Sequence, residues 1–175
     1  MVILRGIERQ LAGRGANPLP FGNGDDQYSI EHIFPQAADA GRAWRQDVAT
    51  WGGSSELARM QDLVRQAMRE GALGVGSSLI YAPAFFAETP ELIALAQAAA
   101  EPGGGYVSHV RNESYRLEEA IDELIEITRA SGGHGEAYHL KAAGEANWGN
   151  MAHAIAKIEE ARRQGVAVSA NMYTY

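Results

Sequence analysis

The stretch "GGGYVSHVRNESYRLEEAIDELIEITRASGG", residues 103–133, holds one complete unit of the fold. A glycine run leads into GYVSHVR, a short apolar stretch that reads as a strand. Then Leu117, Ala120, Ile121, Leu124 and Thr128 recur on one helical stripe, and Gly132 follows as a stop. The same grammar continues on both sides. Upstream, "SSELARMQDLVRQAMREG" (54–71) predicts a helix with Leu57, Met60, Leu63, Val64, Ala67 and Met68 on its apolar face and Gly71 as its stop. "ALGVGSSLIY" (72–81) predicts a strand. "TPELIALAQAAAE" (89–101) predicts a helix with Thr89 as N-cap and Pro90 at the first helical position. Downstream, "GEAYHLK" (135–141) and "VAVSANMYTY" (166–175) predict strands on either side of a helix over "NMAHAIAKIEEARRQG" (150–165). "DVATWGG" (47–53) is a further strand candidate.

The period is about thirty residues, the size of one strand–helix unit. Strand–helix alternation predicts an α/β protein with a parallel sheet. Four to five consecutive units fit either part of an eight-unit (β/α) barrel or an open doubly wound sheet, and the repeat alone does not choose between them. Residues 1–41 are rich in Gly, Pro, Asn and Asp and read as a loop-rich segment with no regular architecture.

Composition removes several functions. A net charge of −7 argues against a nucleic-acid partner. The chain contains no cysteine, which excludes disulfides and thiolate metal sites and fits a cytoplasmic protein. No apolar run is long enough to span a membrane, and the N-terminus has no signal-peptide pattern.

Chemistry in a parallel α/β sheet gathers at the C-terminal ends of the strands. His109 stands at one such end with Arg111 two residues on, and His139 stands at the next with Lys141 two residues on. Residues two apart on a strand share a face, so each histidine is expected to point the same way as its cation. Adjacent strands lie about 4.8 Å apart, which suits two imidazoles on one metal ion or a pair of ions. The cations beyond them would hold a substrate carboxylate. His32, His134 and His153 fall outside this pattern and read as structural or solvated.

The segments "EGALGVGSSLIYAPAFFAETPELIALA", "GGGYVSHVRNES", "YHLKAAGEANWGN" and "VSANMYTY", in this order and spacing, resemble the N-acyl-D-amino-acid deacylases (D-aminoacylases). These are metal-dependent enzymes of the amidohydrolase superfamily. The resemblance is close over about residues 60–175 and weaker over 42–59. It implies a partial (β/α)8 TIM barrel over 42–175 and hydrolysis of the amide bond of N-acyl-D-amino acids. It implies Zn(2+), one ion or two, on His109 and His139, and a substrate carboxylate held by Lys141 and Tyr173 with Arg111 beside them. Glu113 lies next to the site, with a salt bridge that orients the loop as an equal alternative for it and for Arg111.

The chain also departs from the family's pattern. It has no His-x-His pair and no counterpart to the family's cysteine ligand, and "WGGSS" stands where the family has a Gly-His-Gly. The catalytic aspartate implied by the resemblance belongs to a later strand, beyond Tyr175, so no catalytic residue is assigned here. The expectation is a truncated deacylase with little activity alone, whose open barrel edges invite self-association. The alternatives are another amidohydrolase, such as a cyclic-amide hydrolase, or a non-catalytic barrel fragment.

Overall fold

The computed structural model describes residues 54–82 and 84–174. The strand candidate at 47–53 and the loop-rich 1–41 segment lie outside the described residues. Among the described residues, four helices alternate with four strands. They are α1 (Ser54–Arg69), β1 (Gly74–Ser78), α2 (Thr89–Ala100), β2 (Gly105–His109), α3 (Leu117–Ser131), β3 (His134–Ala137), α4 (Asn150–Arg163) and β4 (Val168–Ala170). Single 3-10 turns at Ala84–Phe86 and Glu145–Asn147 interrupt the loops after β1 and β3.

The strands are all parallel and stand in chain order, β1-β2-β3-β4. Each helix packs on the next, α1 on α2, α2 on α3 and α3 on α4. The sheet contacts follow the same sequence, α2 on β1 and β2, α3 on β3, and α4 on β4. A doubly wound sheet reverses its strand order at a switch point and divides its helices between two faces. Neither occurs among the described residues, so the sheet is an arc of a (β/α) barrel.

The core lies between helices and sheet. Leu117, Ala120, Ile121, Leu124, Ile125, Ile127 and Thr128 of α3 are buried, which is the stripe read from the sequence with two isoleucines added. Val64 and Ala67 of α1, Leu92 of α2, Ala154 and Ile158 of α4, and Tyr106 and Val168 of the sheet complete it. The other face of the sheet carries Gly76, Val107, Glu136 and Ser169 side by side in register. Val107 is 36% exposed, because among the described residues nothing covers that face.

Two glycines fix the geometry of the α3–β3 unit. Gly132 closes α3 in the left-handed region, φ 71°, and its N–H donates to the Thr128 carbonyl. A Cβ on Gly135 would stand 1.8 Å from Thr128 Oγ1, so β3 lies as close to α3 as a bare backbone allows.

Two expectations need correction. The strands are shorter than the apolar runs that predict them: β2 stops at His109, β3 at Ala137 and β4 at Ala170. Val110 and Leu140 are apolar because they pack from the loops, not because they extend the ladder. Thr89 is not the N-cap of α2. Glu88 occupies that position without a side-chain cap, and the Thr89 hydroxyl donates to Glu123 Oε1 at 2.9 Å on α3.

Candidate functional site

His109 ends β2 in register with Ser78 of β1. His139 is two residues past the end of β3, where the backbone turns through φ 43°. That conformation is uncommon outside glycine. It is held by Asn171, whose Oδ1 accepts the His139 N–H at 2.6 Å and whose carbonyl accepts the Leu140 N–H at 2.8 Å. Asn171 Nδ2 in turn donates to Glu136 Oε1, and Glu136 Oε2 accepts from Ser169 Oγ at 3.3 Å. A polar ladder on the inner face of the sheet thus supports the kink.

The two imidazoles meet edge to face, with ring centroids 4.3 Å apart. Tyr81 approaches His109 edge-on at 5.3 Å, and Tyr173 stacks on His139 at 5.3 Å. Between the rings lies Glu113, a buried carboxylate delivered by the loop after β2. That loop is folded by Asn112, whose Oδ1 accepts from Ser114 N–H, Ser114 Oγ and Arg116 N–H. The Glu113 carbonyl accepts the Ala143 N–H at 2.6 Å, tying the loop to the segment after β3.

Glu113 Oε1 is 3.2 Å from His109 Nε2, 3.3 Å from His139 Nδ1 and 2.5 Å from Lys141 Nζ. The ammonium also lies 2.8 Å from His139 Nδ1 and 5.4 Å from the Tyr173 ring centroid.

Three of these groups form a donor set for a metal. One atom each from His109, Glu113 and His139 lies within 4.8 Å of the others. With bonds of about 2.0–2.1 Å, the corners of a tetrahedral zinc site are roughly 3.3–3.4 Å apart. The two His–Glu separations match that edge. Neutral imidazole and carboxylate are ordinary zinc ligands, and two histidines with one glutamate is a known catalytic set. Ser78, the register partner of His109, keeps a buried hydroxyl with no hydrogen-bond partner among the described residues.

Of the residues singled out in the sequence, His109, His139, Lys141 and Tyr173 come together. Lys141 and Tyr173 do so from loops, not from strand faces. Arg111 is directed elsewhere. Its Nε and Nη2 each donate to the Glu123 carboxylate at 2.8 Å, and Nη1 and Nη2 donate to the Phe85 and Ala87 carbonyls at 2.7 and 2.9 Å. The bond to Glu123 raises its pKa further. It therefore fixes the loop after β1 to α3. His134 bonds Ser169 at 3.0 Å and His153 bonds Glu118 at 2.9 Å, both remote from the cluster. His32 lies outside the described residues. Glu113 and Asn171 carry more of the site than the sequence suggested.

No family model matches the chain. Curated relatives do. An N-acyl-D-glutamate deacylase of Alcaligenes xylosoxydans xylosoxydans is 36% identical over 129 residues, 74% of this chain and 26% of that protein. A D-aminoacylase of the same organism is 34% identical over 119 residues, 67% of this chain and 25% of that protein. Among solved structures, the N-acyl-D-glutamate deacylase of Bordetella bronchiseptica complexed with zinc and a phosphonate inhibitor matches with a TM-score of 0.68 at 36% identity, over 70% of this chain and 26% of that one. A D-aminoacylase matches with a TM-score of 0.66 at 31% identity over the same shares. The chain spans about a quarter of the length of these relatives.

Proposed function

We propose a function from the premise that the chain belongs, over its matched stretch, to the N-acyl-D-amino-acid deacylases of the amidohydrolase superfamily. The activity is metal-dependent hydrolysis of the amide bond of an N-acyl-D-amino acid, to which this chain contributes one arc of the barrel. The observation that carries it is the convergence of His109 and His139, ring centroids 4.3 Å apart, from two adjacent strand ends.

The residues divide the work. His109 and His139 are the histidines that hold zinc, and zinc supplies polarisation of the amide carbonyl and a more acidic water. Asn171 orients His139 through its backbone N–H. Lys141 offers an ammonium to the substrate carboxylate, and Tyr173 lines the same space against the His139 ring. Arg111 enters this reading as the clamp between α3 and the loop after β1, the loop whose Tyr81 lies against His109.

The proposal is tested by titrating zinc-loaded full chain with N-acetyl-D-glutamate and its L enantiomer while amine release is followed. Preferential binding of the D form with slow turnover is expected. Equal or undetectable binding of both enantiomers in the presence of zinc would overturn it.

A further inference from the structure

We propose that Glu113 is the third protein ligand of this metal centre, and that Lys141 holds its place as a resident cation until a metal arrives. The inference rests on the reading above, which assigns the two histidines but not the carboxylate.

Glu113 has a side chain only 9% exposed, between two imidazoles. A buried carboxylate requires a positive partner. Lys141 supplies it, 2.5 Å from Glu113 Oε1 and 2.8 Å from His139 Nδ1. Those are the same two lone-pair atoms that a divalent ion would take. The ammonium therefore stands as the cation of the site, and it is the member built to leave. Its side chain is 36% exposed and hangs on a flexible four-carbon stem, whereas Glu113 and His139 are anchored by the Asn112 turn and by Asn171. A divalent ion and an ammonium do not share one oxygen lone pair, and their charges repel. Metal loading thus expels Lys141 from Glu113.

The consequence is coupling. Bound to Glu113, the Lys141 ammonium is paired with a carboxylate and turned inward. Released, it is a free cation at the rim beside Tyr173, available to a substrate carboxylate. Zinc and an N-acyl amino acid therefore strengthen each other's binding, by the same factor in both directions.

The test uses the metal-stripped full chain. Zinc affinity is measured by competition with a chromophoric chelator, and the acylation rate of the Lys141 amine is followed by mass spectrometry with and without zinc. Glu113→Gln is expected to weaken zinc binding by about tenfold or more. Lys141→Met is expected to strengthen it. In the unmodified chain, zinc should raise the acylation rate of Lys141 severalfold and tighten binding of N-acetyl-D-glutamate. His109→Ala and His139→Ala should each lose zinc on the family reading alone. If they do while Glu113→Gln keeps its affinity, the carboxylate proposal is overturned and the reading stands. If the histidine variants bind zinc like the unmodified chain, both fall. Should either Glu113 or Lys141 variant fail to fold, the acylation experiment decides, and a rate unchanged or slowed by zinc overturns the proposal.

Discussion

The backbone N–H of His139 donates to the side-chain oxygen of Asn171 at 2.6 Å, across two successive strand ends. This bond holds a histidine in a left-handed turn and aims its ring at His109. Replacing Asn171 by Ala should cost about 1 kcal/mol through the orphaned N–H. Zinc affinity should fall by about tenfold, as for other residues that orient a ligand. A chelator competition and a denaturant melt on the same variant check both. Lost stability with unchanged zinc affinity would show that Asn171 shapes the loop without steering the ring.

Arg111 separates structure from chemistry. Its guanidinium binds Glu123 through two nitrogens and accounts for two carbonyls of the preceding loop. The Arg111→Met variant should lose about 1–3 kcal/mol of stability. Its zinc affinity should match that of the unmodified chain. A variant of normal stability that loses carboxylate binding would instead return Arg111 to the substrate.

Gly135 marks a close approach of β3 and α3. A Cβ there meets Thr128 Oγ1 at 1.8 Å, and that hydroxyl is itself fixed by the Leu124 carbonyl at 2.7 Å. Gly135→Ala should destabilise by about 1–3 kcal/mol through overpacking. The Gly135→Ala, Thr128→Ala double variant should recover part of that loss, and a double-mutant cycle with no coupling energy would contradict the contact.

The helices were legible because burial repeats every three to four residues and the α3 stripe, Leu117 to Thr128, is continuous. Strand ends were not. Apolar residues go on past the last ladder pair, since Val110 and Leu140 pack into the same core from loops. The convergence of His139 with Lys141 was therefore expected for a reason that does not hold. Strand parity does not apply beyond Ala137, and the meeting comes from the turn at His139. Glu113 was placed beside the site, not in it, because no sequence rule points a loop carboxylate inward. The Asn112-x-Ser114 turn was the available signal. The partner of Arg111 is twelve residues on, on the face of α3 toward the loop after β1, and nothing in the sequence joins them.

The open arc leaves β1 and β4 as sheet edges among the described residues, with Val107, Met172 and Tyr173 exposed. Unpaired edges beside exposed apolar residues favour pairing with other chains. Light scattering should find the full chain associated at micromolar concentration. A monodisperse monomer with a cooperative melt would contradict that expectation.

On this reading His109 and His139 belong to one metal centre. Equilibrium dialysis of the full chain against zinc, followed by a thermal melt, tests it most directly. Zinc should be retained and Tm raised, and both effects lost in the His109→Ala, His139→Ala double variant. A cooperatively folded chain that retains no more zinc than the double variant would contradict it.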